Sequence, residues 1–255
     1  MRLLLLLSLL GGALHAPDDI KRPYLDAQDK AASTSPMTLV DICNAGTQRH
    51  EARATRALSQ LESDRELRTA LNEEGTLAGI ALSGIDLARL AGFESSVNKS
   101  CVPDEKGRIG LFRLDATSCQ DVKVAFEEVD EPEEWRKHVE TGRKLYVRLS
   151  KSLLHHLSQD HDLGGGAIEL SPFHLYLAHR TSAEDTARLL AQVHSGTART
   201  QLASAELLSY LEGDARLAAL FDSEHDIRAI EAYAYLLGGW SSMVDAIQPR
   251  PDDRR

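Results

Sequence analysis

Two groups of residues in this sequence combine the side chains that phosphate chemistry uses. Arg49, His50 and Arg53 lie within five positions, and His225 and Asp226 stand side by side far downstream. A neutral imidazole can attack phosphorus and form a covalent intermediate, and guanidinium groups can hold phosphate oxygens through paired hydrogen bonds. A carboxylic acid can then protonate the leaving alkoxide. If the two groups meet in space, they carry the parts needed to hydrolyse a phosphate ester.

This ordered pair of motifs resembles the histidine acid phosphatases, in which Arg-His-Gly-x-Arg-x-Pro stands early in the chain and a His-Asp dipeptide ends a late strand. The resemblance implies that His50 is the catalytic nucleophile and Asp226 the catalytic acid. It implies that Arg49, Arg53 and His225 bind the substrate. The expected protein is a phosphatase that needs no cofactor and acts on a phosphorylated small molecule.

A second interpretation gives the same residues no catalytic role. Residues 49–53 are then a solvated helix start, and the acidic turn that precedes His225 caps the following helix. On this interpretation the chain is a non-catalytic, secreted helical protein that binds an unknown protein partner or acts as an effector. The two interpretations differ in whether His50 and His225 converge.

His156 and Asp160 are the most metal-like pair, because residues four apart share one face of a helix. However, His156 also falls on the apolar stripe of its helix, and Asp160 lies at a solvated helix end. The sequence therefore predicts no metal site.

The first sixteen residues have the features of a signal peptide. Arg2 precedes an apolar run from Leu3 to Leu14, and small residues allow cleavage after Ala13 or Ala16. We therefore expect a secreted or extracytoplasmic protein.

Export sets the expectations for cysteine and asparagine. In an oxidising compartment Cys101 and Cys119 are predicted to form a disulfide, with Cys43 left over. Asn98 opens an Asn-Lys-Ser sequon and is the predicted glycosylation site.

Charge and hydropathy exclude two classes of partner. The 255 residues contain 39 Asp and Glu against 29 Lys and Arg, a formal net charge of −10. Such an acidic chain offers no general basic field for nucleic acid. No apolar run reaches the roughly 20 residues that span a bilayer, so no stable membrane insertion is expected.

The apolar pattern predicts one helix-rich α/β domain over residues 37–248, with a central sheet, helices packed around it and a helical cap region. A linker over 17–36 precedes it and a polar tail over 249–255 follows it. The predicted strands cover 38–43, 109–114 and 122–129, with a strand-like stretch at 167–178. The clearest predicted helix begins near Pro132 and carries an apolar stripe from Trp135 to His156.

Overall fold

The computed structural model describes residues 38–74, 84–100, 102–126, 129, 135–159, 168, 170–211 and 227–249. Its α-helices are α1 (Leu39–Ser63), α2 (Arg65–Glu74), α3 (Gly84–Ser95), α4 (Ala116–Asp121), α5 (Trp135–Gln159), α6 (Pro172–Arg180), α7 (Ala183–Ser195), α8 (Ala205–Leu211) and α9 (Ala229–Ala246). A 3₁₀ turn at Thr197–Arg199 follows α7. The predicted signal peptide, the linker and residues 250–255 of the tail lie outside the described residues and stay predictions.

The predicted α/β fold with a central sheet is wrong. Within the described ranges the chain forms no strand and only two isolated bridges, Ile109 with Leu114 and Leu202 with Arg228. The run at 38–43 opens the 25-residue helix α1 instead. Thr38 Oγ1 accepts a hydrogen bond from the Asp41 N–H, and the Asp41 carboxylate accepts one from the Thr38 N–H. This reciprocal capping box starts a helix, and a short apolar run cannot by itself distinguish helix from strand.

The other predicted strands fail for local reasons. Residues 109–114 form a tight turn, in which Gly110 adopts a φ of +67°. The described part of 122–129 continues in turns after α4. The apolar stretch after residue 170 is the helix α6, whose first residue is Pro172. Proline suits that position because its missing N–H would have had no partner there.

The centre of the fold is the helix α9. Every residue from Ala229 to Trp240 is buried, as expected for a helix that is apolar on all sides. Its most extensive contact is with α1, and glycines permit it. A Cβ added to Gly238 would lie 1.9 Å from the carbonyl oxygen of Cys43, and one added to Gly46 would lie 2.0 Å from that of Tyr235. The two backbones therefore touch, with no room for a side chain between them.

The helix α5 confirms the predicted apolar stripe and closes one side of the core. Val139, Tyr146 and Leu153 are fully buried along it. The loop before α4 docks on the same helix, because Phe112 fills the notch over Gly142, where a Cβ would lie 2.3 Å from the ring. The opposite face of α5 is left to solvent and carries its charged residues. Among the described residues, no helix combines the length and apolar character of a membrane span.

Candidate functional site

His50, the predicted nucleophile, lies in the middle of α1 rather than after a strand. Its Nδ1 donates a hydrogen bond to the Gly46 carbonyl oxygen at 2.9 Å. The ring packs against Phe93, with centroids 5.0 Å apart, and lies over α9, where a Cβ on Gly239 would come within 2.5 Å of Nδ1. The imidazole therefore joins α1 to the central helix.

The predicted phosphate-binding arginines point in different directions. Arg49 lies on the exposed face of α1. Arg53 Nη1 donates to the Phe93 carbonyl oxygen at 2.9 Å, which satisfies one of the last carbonyl groups of α3. His225 and Asp226 lie outside the described residues. That they lie close to His50 therefore stays a prediction.

The predicted disulfide and the predicted glycosylation of Asn98 also stay predictions. Asn98 is exposed, and its side-chain oxygen accepts a hydrogen bond from the Ser100 N–H at 2.9 Å. Cys119 is buried in α4, whereas Cys101 lies outside the described residues. Cys43 is half-buried in α1 and is not bonded to Cys119. Burial raises the pKa of the Cys43 thiol.

The metal-like pair His156 and Asp160, for which no metal site was predicted, is only half described. His156 lies half-buried in the last turn of α5, and Asp160 lies outside the described residues. In the part of the chain that the structure describes, no three His, Cys, Asp or Glu side chains are grouped so that they could hold a metal ion.

A groove between α5 and the end of α4 concentrates positive charge. We call it the basic groove, and it has a volume of about 440 Å³, within the usual range for small-ligand pockets. Its walls carry two short apolar side chains and one carboxylate, Val122, Val147 and Asp121. The other lining residues in the part of the chain that the structure describes are cationic: Lys123, Arg143, Lys144, Arg148 and Lys151.

Arg148 and Lys144 each form an ion pair with a carboxylate beside the basic groove. Arg148 Nη1 lies 2.9 Å from Asp121 Oδ1, and it also donates to the Asp121 carbonyl oxygen. Lys144 Nζ lies 2.7 Å from Glu140 Oε1. All four side chains are about half exposed, between 44% and 52%, so each pair contributes little to stability and can be exchanged for a better anion.

Positive potential on this side of α5 also acts on Glu140. The hydrogen bond and charge of Lys144 lower the pKa of that carboxyl, and the charge of Arg143 adds to the effect. The basic groove therefore already favours the ionised form of an acid at its rim.

Lys123 reaches the basic groove from a strained backbone position. Its φ is +59°, in the left-handed region where glycine is favoured and other residues cost about 1 kcal/mol. The position ends α4, because the Lys123 N–H donates to the Gln120 carbonyl and the Val124 N–H donates to that of Cys119. A cation at a position that favours glycine adds charge to the groove at a cost in backbone strain.

The amino-acid composition of α5 indicates the basic groove, although no sequence motif does. Six of the 25 residues of α5 are Lys or Arg, and one is acidic, although acidic residues outnumber basic ones in the whole chain. Net charge taken helix by helix marks this surface. The contribution of Lys123 could not be found in that way, because it depends on the turn after α4.

A second polar cluster lies inside the protein, and we call it the buried network. Glu94, at 0% side-chain exposure, forms an ion pair with Arg180. Its Oε1 accepts hydrogen bonds from His179 Nδ1 at 2.9 Å and from the Tyr146 hydroxyl at 3.3 Å. The cluster thus ties the end of α3 to α5 and α6.

The imidazole of the buried network is a weak base. Burial lowers the pKa of His179 to about 4; the charge of Asp115 opposes this shift and that of Arg108 adds to it. Near neutral pH His179 is therefore a neutral hydrogen-bond donor, and only 7% of its side chain is exposed. This geometry fits a structural role.

Comparison of the chain with protein-family models, with curated proteins and with solved structures finds no match. We therefore interpret the basic groove from its own geometry and charge.

Proposed function

We propose that the chain is a helical binding protein that captures a phosphate-bearing anion in the basic groove. The observation that carries this proposal is the reversal of charge. Of the described residues, five cations and one carboxylate line the groove, in a chain with a net charge of −10. A concave site lined by one sign of charge focuses its field and concentrates ligands of the opposite sign.

A phosphate monoester fits this lining better than a carboxylate does, because it carries about −1.5 to −2 charges at neutral pH and offers three acceptor oxygens. Arg143 and Arg148 line the groove, and guanidinium groups bind phosphate oxygens in pairs of hydrogen bonds. The acidic remainder of the chain repels a long polyanion, whereas a small anion can enter the groove without meeting that charge. The proposal shares with the second interpretation a helical protein without a catalytic role, but its partner is a small anion instead of a protein.

Thermal unfolding in phosphate and in chloride at matched ionic strength tests the proposal. Inorganic phosphate is expected to raise the melting temperature, because a ligand that binds only the folded state stabilises it. The Lys144→Gln/Arg148→Gln protein should lose this increase. Arg136→Gln is the matched control, since it removes one charge from the same helix outside the groove lining. An equal increase in all three proteins would contradict the proposal.

Phosphomonoester hydrolysis centred on His50 is the second candidate, and it rests on the ordered pair of motifs alone. It requires Asp226 to protonate the leaving group, so activity is expected to fall as pH rises. Hydrolysis of an aryl phosphate and an inositol phosphate between acidic and neutral pH tests it. The His50→Ala protein should be inactive, and undiminished activity in that protein would refute the role of His50.

A further inference from the structure

We infer that the ligand of the basic groove carries at least two phosphate groups on a compact framework, as a polyol polyphosphate does. This inference rests on the proposed function, and it begins with charge. Among the described residues, five cations stand against Asp121 in the lining and Glu140 at the rim, a net charge of 5 − 2 = +3. One phosphate monoester carries about −1.5 to −2 at neutral pH. A single group would thus leave a third to a half of this positive charge uncompensated, whereas two groups match it.

The spacing of the cations leads to the same ligand class. Lys144, Arg148 and Lys151 occupy positions i, i+4 and i+7 of α5, so they form one row that extends for about 10.5 Å along the helix axis. Lys123 lies on the opposite wall, after α4. A single phosphate cannot contact both ends of this row, whereas several phosphates on a small ring or chain can.

The two ion pairs at the rim favour ligands with several phosphates. Arg148 already forms an ion pair with Asp121, and Lys144 forms one with Glu140. A monophosphate can displace only one of these carboxylates, so it gains less than a ligand that displaces both. A polyphosphate displaces both carboxylates in one binding event and also reaches Lys151, so its affinity rises more steeply with each added group.

The test is a calorimetric series on the full chain at fixed salt, with inorganic phosphate, a sugar bisphosphate and inositol hexakisphosphate as ligands. We expect the Kd to fall about tenfold or more at each step. The Lys123→Gln/Lys151→Gln protein should lose most of this gain, and Arg136→Gln should behave as the unmodified chain. Circular dichroism of each variant verifies its fold.

The outcomes separate the two proposals. Equal affinity across the series would overturn the inference and leave the anion-binding function standing. Failure of every ligand to bind would overturn both. Vesicles containing a phosphatidylinositol bisphosphate form a second arm: binding to vesicles but not to the soluble phosphates would assign the same chemistry to a lipid headgroup. Tighter binding to a single-stranded oligonucleotide than to the hexakisphosphate would overturn the assignment to a small ligand.

Discussion

Replacement of Arg180 by methionine should destabilise the protein, because it leaves the charge of Glu94 buried without its partner. The Arg180 side chain is 8% exposed and that of its partner Glu94 is 0% exposed. Removal of one partner of a buried pair costs about 3–5 kcal/mol, because the other charge stays buried without compensation. His179 and Tyr146 still donate to Glu94, so we expect a value near the lower limit, about 3 kcal/mol.

Urea unfolding followed by circular dichroism measures this loss. A loss of about 3 kcal/mol corresponds to a melting temperature about 6–12 °C lower for a domain of this size. Arg136→Met is the control: its ion pair with Glu66 is exposed at 68% and 77%, so it should contribute under about 1 kcal/mol.

A double variant decides whether the loss comes from the stranded charge. Glu94→Gln combined with Arg180→Met removes both charges and should recover much of the stability, because an uncharged pair of similar volume is tolerated in a protein interior. A loss below about 1 kcal/mol in Arg180→Met would refute the reasoning. A double variant less stable than Arg180→Met would refute it as well.

Three further predictions concern the strained turn, the buried histidine and the central helix pair. Lys123→Gly removes the left-handed strain and should raise the free energy of unfolding by about 1 kcal/mol, while it weakens polyphosphate binding; melting and calorimetry measure the two effects. Burial lowers the pKa of His174 from 6.5 to about 4, so stability should be retained above pH 6.5 and lost toward pH 4, by about 2 kcal/mol at pH 5. That loss should be absent from His174→Gln in urea titrations across this range. Gly238→Ala places a methyl group 1.9 Å from the Cys43 carbonyl oxygen, and it should destabilise the protein by about 3 kcal/mol or more in the same assay; an unchanged midpoint would contradict the close packing of α1 and α9.

Local apolar pattern predicted the long helix α5, but it assigned the start of α1 and the region of α6 to strands. The stripe from Trp135 to His156 is long enough to establish a helical period, and α5 follows it. The run at 38–43 is too short to establish any period, so the capping box of Thr38 decides its structure. Apolar runs of this length carry no information about the period of the helix or strand that contains them.

Contacts distant in sequence explain why the site could not be predicted in full. The charge of α5 is visible in the sequence, whereas the opposite wall of the basic groove depends on the φ of Lys123. Glu94 and Arg180 are distant in the chain and meet only when α3 packs on α6. His50 was singled out for its chemistry, but its environment depends on Gly239, which the sequence does not connect to it.

Two-dimensional NMR of the ¹⁵N-labelled chain, titrated with inositol hexakisphosphate, shows whether the basic groove is the binding site. Saturable amide shifts are expected to concentrate at residues 121–123 and 143–151, which form the two walls of the groove. In the Lys123→Gln/Lys151→Gln protein the same shifts should require a higher ligand concentration. Shifts centred on His50 with none in the basic groove, or no saturable shifts at all, would contradict the assignment of the groove as the binding site.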